Sequence, residues 1–220
     1  MAGFQKGGGF LPDVQTPLFC GLILAAGLSS RMGDFKPLLP LRGKTLIENT
    51  VDSVFAGGAA SVTVVAGYRG EELAALLNAR YGEQARIVWN PGYASTDMLR
   101  SVQIGCQALP PCDGFFLLPG DMPAVRQETF RRLAAAWSAE IPGVVFPTLD
   151  GYRKHPPLID YRLVPELLAY EGGGGLRELW RRHEEWVRTV PVDDEGVWVD
   201  LDTQADYRKC REKLERSTGG

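Results

Sequence analysis

LILAAGLSSRMGDFKPLL, residues 22–39, joins an apolar strand to a loop of small residues and then to two cations. The strand covers 18–24 and breaks at Ala25-Ala26-Gly27, and the loop beyond presents Arg31 and Lys36. Gly, Ala and Ser let backbone N–H groups approach an anion closely, and flanking cations neutralise its charge. Residues 25–36 therefore read as a triphosphate cradle in a nucleotide-using enzyme. An ordinary strand-to-helix turn accounts for the glycines alone, but not for Arg31, Lys36 and the GDMP segment downstream. Two other phosphate loops are excluded. A Walker loop has four residues between its glycines and then Lys and Ser or Thr, whereas Gly27 and Gly33 enclose five residues and Asp34 follows. The GxGxxG dinucleotide fingerprint is absent, since Leu28 and Ser29 follow Gly27.

Working outward, strand-like and helix-like segments alternate. This pattern predicts an α/β fold in three layers, with a mostly parallel twisted sheet and crossover helices. Strands are expected at 18–24, 61–66, 86–89, 114–118, 144–147, 157–159, 187–192 and 197–201. Helices are expected at 45–55, 71–81, 98–108, 126–139, 163–170, 176–183 and 205–214. The run GFFLL at 114–118 is apolar throughout, as suits a central strand buried on both faces.

Asp121 follows that strand directly, in LPGDMP, so its carboxylate is expected at the C-terminal edge of the sheet, where open α/β sheets bind ligands. A hard oxygen ligand there suits Mg²⁺, which takes one or two carboxylates plus phosphate oxygens. A helix-capping Asp is the plainer alternative. Asp200 and Asp202 alternate across Leu201 and would share one face of a strand, towards the same metal. Asp202 alternatively caps the helix that begins near Thr203.

The 220 residues, 45% of them hydrophobic, suffice for one full core. A tail at 1–16 and a single domain at 17–216 are expected. The net charge of -3 points away from nucleic acid. No apolar stretch has transmembrane length, and the opening MAGFQKGGGF lacks the apolar core of a signal peptide. Four dispersed cysteines without a CxxC pair argue against structural zinc and for a reducing, cytoplasmic setting.

The LAAGxSxRMG…K arrangement resembles that of nucleotidyltransferases, most closely the molybdenum cofactor nucleotidyltransferases of the MobA-like NTP transferase family. The likeness extends from about residue 18 to residue 207. It implies a Rossmann-like nucleotidyltransferase topology, Mg²⁺ as cofactor, and CTP or GTP with molybdopterin (the molybdenum cofactor) as substrates. A molybdenum hydroxylase is the implied recipient of the product. Carried over position by position, it makes Arg31, Lys36 and Asp121 catalytic and Asp121, Asp200 and Asp202 metal ligands. Nucleotide contacts fall on Leu24, Ala25, Ala26, Gly27, Ser30, Arg31, Lys36, Gly67, Asn90 and Ser101. The second substrate falls to Arg153, His155, Gly175 and Arg177. Ala26, where guanylyl enzymes tend to have Gly, and the DxDT pattern at 200–203 favour CTP.

Three positions depart from the family pattern. Asp97 stands where Gly is usual, and is tolerable beside an anion if it caps the helix or meets Arg100. Lys154 stands in the place of the second Gly of a G-x-x-G-H-P segment. Gly173 replaces the Asp of GDxGAR, within four consecutive glycines that either bind an anion through helix N-terminal N–H groups or form a surface hinge. His155, followed by Pro156 and preceded by two cations, faces the second substrate in the family, whereas a lone loop histidine is otherwise a solvated residue. His183, in RRHEEW, reads as a surface residue. Competing readings are a sugar- or alcohol-phosphate nucleotidyltransferase, which shares the LAAG…R…K loop, and a non-catalytic cofactor-binding chaperone.

Overall fold

A computed structural model describes residues 16–27, 34–198, 201 and 203–216. In chain order the elements are β1 (Phe19–Ala25), β2 (Pro40–Leu41), β3 (Lys44–Thr45), α1 (Leu46–Ala56), β4 (Val62–Ala66), α2 (Gly70–Tyr81) and β5 (Ala85–Trp89). There follow α3 (Met98–Ala108), β6 (Gly114–Pro119), α4 (Gln127–Ala136), β7 (Val144–Leu149), β8 (Tyr152–Arg153) and β9 (Leu158–Asp160). The chain closes with α5 (Val164–Ala169), α6 (Gly175–Arg182), β10 (Val187–Pro191) and α7 (Gln204–Arg216). The main sheet runs β10-β7-β9-β6-β1-β4-β5, with β8 appended to β7. All its strands are parallel to their neighbours except β8 and β9, which run antiparallel.

Side-chain alternation explains why three layers form. In β6, Phe116 and Leu118 face one side with Val51 and Val54 of α1, Leu73 and Leu77 of α2, and Phe130 and Leu133 of α4. Phe115 and Leu117 face the other, with Val102 of α3, Leu167 of α5 and Trp180 of α6. Both sets are fully or nearly fully buried, so GFFLL is the doubly covered strand its composition implies. This is a Rossmann-like arrangement, mostly parallel and flanked by helices.

A third cluster joins α7 to the β2–β3 hairpin through Leu41, Leu46, Tyr207 and Cys210. Tyr207 donates its hydroxyl hydrogen to the Pro40 carbonyl, and Arg42 Nε donates to the Leu214 carbonyl at 2.9 Å. The C-terminal helix thus clamps the hairpin that directly follows the Lys36 segment.

Two expectations need correction. Residues 195–198, at the start of the expected strand 197–201, form a 3₁₀ turn instead. The cause is Asp194, which is 2% exposed. Its carboxylate accepts from Gly196 N at 2.9 Å, and Val197 N donates to Asp194 O at 3.2 Å, so the chain curls before it can pair. Residues 199, 200 and 202 lie outside the described set. Second, the stretch between β7 and β9 is part of a hairpin rather than an open loop. Thr148 and Leu149 pair with Arg153 and Tyr152 across Asp150-Gly151, both of which have positive φ (53° and 81°). Two successive positive φ values make the two-residue turn for which Asp-Gly is favoured.

The four cysteines are free. Cys20 and Cys112 are remote in sequence; the neighbouring Cys112 thiol and the Ser61 hydroxyl, 3.3 Å from Cys20 Sγ, pull the Cys20 thiol below its ordinary value, while the same neighbour and burial push Cys112 up. Among the described residues, no helix is long and apolar enough to cross a membrane.

Candidate active site

Register places the site. Leu24 of β1 stands opposite Pro119 of β6, so residues 25–27 and 120–121 leave the sheet side by side at its C-terminal edge. Gly120 N donates to the Leu24 carbonyl at 2.9 Å, which ties the two exits together. Lys36 opens a 3₁₀ turn, Lys36–Leu38, in which Pro37 fixes the helical φ. Its ammonium lies 3.2 Å from Asp121 Oδ2, both side chains being largely buried. Two residues 85 positions apart are thereby brought to one point.

A cavity of about 290 Å³ opens there, lined by Leu24, Ala25, Ala26, Gly27, Lys36, Ser101 and Asp121, together with Tyr93, Thr96, Asp97 and Met98. Asn90 and Gly67 stand behind this wall. Asn90 is buried and donates to Thr96 Oγ1 and Ser101 Oγ, both at 3.0 Å, while its Oδ1 accepts from Gly92 N. It therefore shapes the loop that carries Tyr93 and Thr96. Gly67 packs on Ala26, where a Cβ would meet the Ala26 carbonyl oxygen at 2.6 Å. Ser30, Arg31, Asp200 and Asp202 lie outside the described residues. Asp97 resolves its own departure: it is the N-cap of α3 and accepts from Arg100 N at 3.1 Å.

A second cavity of about 890 Å³ adjoins the first, with Leu24, Asp97, Met98 and Pro119 common to both walls. It gathers Arg153, Lys154 and His155 with Gly174, Gly175 and Arg177, over an apolar floor that includes Leu117, Phe146 and Trp180. The second-substrate candidates named from the sequence thus meet on one wall. Gly174 and Gly175 both hold positive φ (85° and 60°), which lets the chain turn sharply into α6 at the cavity rim. Arg153 is paired with Glu184 and lies over the Phe146 ring. His183 is outside the cavity, stacked on Trp186 at 3.8 Å.

Sequence reasoning missed Phe146 and Trp180 as cavity residues. Phe146 and Trp180 read as ordinary core residues, which they also are.

The His155 ring is half-buried, with Nδ1 3.4 Å from the Leu117 carbonyl. Burial pushes its pKa below the ordinary histidine value, against the opposing pull of that carbonyl and of Asp121. In the unfolded chain the ring titrates near ~6.5. Below that pH the unfolded state holds more protons than the folded one, so stability falls with pH until folded His155 itself protonates. Denaturant midpoints measured from pH 7.5 to 5 should show this decline, and His155→Asn should flatten it. An unchanged slope in the variant would remove His155 as its source.

Asp121 offers a hard oxygen donor for a divalent cation. Its Oδ2 meets Lys36, and its Oδ1 has no partner among the described residues. No cluster of three or more His, Cys, Asp or Glu side chains placed to hold a metal occurs among the described residues, so Asp121 fits as one ligand of a shell completed from elsewhere.

With this geometry in view, the family model described as the MobA-like NTP transferase domain matches residues 21–186. The chain belongs to that family. A MobA-like NTP transferase is a nucleotidyltransferase, and both adjoining cavities lie within the matched span or at its edges. The molybdenum cofactor cytidylyltransferase of Escherichia coli (strain K12) is 29% identical over 194 residues, covering 87% of this chain and 95% of that protein. The nicotine blue oxidoreductase of Paenarthrobacter nicotinovorans is 30% identical over 198 residues, again 87% and 95%. A nucleotidyl transferase from Methanothermobacter thermautotroptrophicus superposes with a TM-score of 0.77 at 28% identity, over 91% of this chain and 99% of that one. A Mycobacterium tuberculosis H37Rv protein solved in complex with manganese gives 0.68 at 25% identity, over 89% and 98%.

Proposed function

We propose that this MobA-like NTP transferase moves CMP from CTP onto the terminal phosphate of molybdopterin, releasing pyrophosphate, with Mg²⁺ as cofactor. The observation that carries the reading is the pair of adjoining cavities. One is framed by the small-residue loop, Lys36 and Asp121; the other is apolar-floored and rimmed by cations. Such a layout seats two substrates with their reacting ends at the shared wall.

An acceptor phosphate oxygen attacks the α-phosphorus of CTP. A new P–O bond forms, the bond to the bridging α–β oxygen breaks, and pyrophosphate leaves with the bonding pair. The acceptor phosphate has its second pKa near ~6 and is largely a dianion at pH 7, so no general base is required. Lys36 and Arg31 hold the triphosphate, and Asp121, with Asp200 or Asp202, holds the metal. Bound Mg²⁺ supplies charge neutralisation for the phosphates. The contribution of the chain is positioning and fixed positive charge. Arg153, His155, Gly175 and Arg177 line the acceptor side. Leu24, Ala25, Gly27, Ser30 and Ser101 surround the nucleotide, with Gly67 and Asn90 supporting the wall.

The preference for CTP rests on Ala26, which is buried in the nucleotide wall. Its methyl narrows the space over the base and suits a pyrimidine. The test is pyrophosphate release with Mg²⁺ and molybdopterin, comparing CTP, GTP, ATP and UTP. Release with CTP is expected, and Ala26→Gly should raise the GTP rate relative to CTP. Release with GTP alone overturns the base assignment but keeps the chemistry. Release with none removes molybdopterin as acceptor and turns attention to sugar and alcohol phosphates.

A further inference from the structure

Lys154 stands where the resembled G-x-x-G-H-P segment has its second glycine. It lines the acceptor cavity between Arg153 and His155, and its backbone N–H donates to the Pro147 carbonyl at 2.9 Å. Its ammonium lies 3.2 Å from the centroid of the Trp198 ring and 5.6 Å from that of Tyr152. Trp198 is itself 57% exposed, at the end of the 195–198 turn. An aromatic face attracts an ammonium through its quadrupole and fixes its position without cancelling its charge. The neighbouring cation differs: Arg153 is paired with the Glu184 carboxylate. Among the described residues no carboxylate pairs with Lys154.

We infer that Lys154 determines acceptor specificity by holding an anionic group of the second substrate, with Trp198 as the positioning residue for its ammonium. The inference rests on the acceptor cavity of the proposed function and deepens it: the cavity selects an acceptor with negative charge and disfavours neutral ones. A charge-assisted contact of this kind is worth about tenfold or more in affinity.

The experiment combines equilibrium dialysis of molybdopterin with steady-state pyrophosphate release, in the wild type and in Lys154→Met, Trp198→Leu and Trp198→Phe. Lys154→Met should weaken molybdopterin binding and raise its KM by about tenfold or more, with the KM for CTP within about twofold. Trp198→Leu should cause a loss of roughly three- to tenfold in the same parameters, which Trp198→Phe largely restores because it retains an aromatic face. A merely structural role for Trp198 would not separate Leu from Phe in this way at equal thermal stability. Wild type that binds and turns over molybdopterin, with Lys154→Met equal to it, overturns the role of Lys154 and leaves the proposed function standing. A rise in the KM for CTP instead assigns Lys154 to the nucleotide and overturns the inference. Wild type that neither binds nor turns over molybdopterin overturns both.

Discussion

Asp121→Asn is expected to slow pyrophosphate release by about 10²–10³-fold at saturating substrates, the usual cost of losing a preorganised charge contact in a transfer of this type. The substitution keeps the size of the side chain and a hydrogen-bond acceptor for Lys36, which lies 3.2 Å away. What it removes is the negative charge that Asp121 places in the wall of the smaller cavity, beside Lys36. Folding should register it far less than catalysis does, because the amide oxygen still accepts from Lys36 and no buried donor is left unpaired. The signature is thus a large fall in kcat with a thermal midpoint close to wild type. A loss smaller than tenfold would take Asp121 out of the reacting centre. A loss accompanied by unfolding would make it a structural residue.

Asp194→Ala should have the largest effect on stability, and for reasons unrelated to charge at the cleft. The carboxylate is 2% exposed. It accepts from Arg126 N at 2.8 Å, Thr129 Oγ1 at 2.6 Å and Gly196 N at 2.9 Å. It therefore satisfies the first turn of α4 from a distant part of the chain while curling residues 195–198. Alanine leaves these buried donors without an acceptor, at a cost of about 3 kcal/mol, and Tm should fall by roughly 6–12 °C for a chain of this size. Since the same carboxylate shapes the turn that presents Trp198, the variant should also bind the acceptor less well at temperatures where it remains folded. A shift of Tm below about 2 °C would show that water replaces the lost acceptor.

What the sequence made legible was whatever local pattern determines. The unbroken apolar run 114–118 marked the central strand, and with it the height in the sheet at which Asp121 emerges. The small-residue break after β1 marked the neighbouring exit. Asp97 was open to reading as a cap because capping depends on the next three residues alone, and Arg100 N is its partner. The misses have more than one cause. The alternation in VWVDL, residues 197–201, imitates a strand, but a carboxylate three residues upstream of Val197 captures the chain first. The Asp150-Gly151 pair is a local hairpin signal that the expectation of a plain loop between 147 and 157 leaves unused. Contacts such as Lys154 on Trp198, or Asp194 on α4, join residues far apart in the chain, and no local pattern encodes them. The metal partners of Asp121 among Asp200 and Asp202, and the Ser30–Arg31 part of the loop, stay as sequence-based proposals.

β9 runs antiparallel between β6 and β7, and β8 returns along β7. Residues 150–157 are therefore bounded at both ends by strands already fixed in the sheet, and beyond the Asp150-Gly151 turn the entropy of closing that segment is met largely by the scaffold. Such a segment behaves as a cassette. Its composition and length can drift through evolution, or be exchanged by design, without disturbing β1 or the residues that leave its C-terminal end. Under the proposed function, descent within one architecture could then separate into two histories, one for the half that holds the nucleotide and another for the half that receives the transferred group.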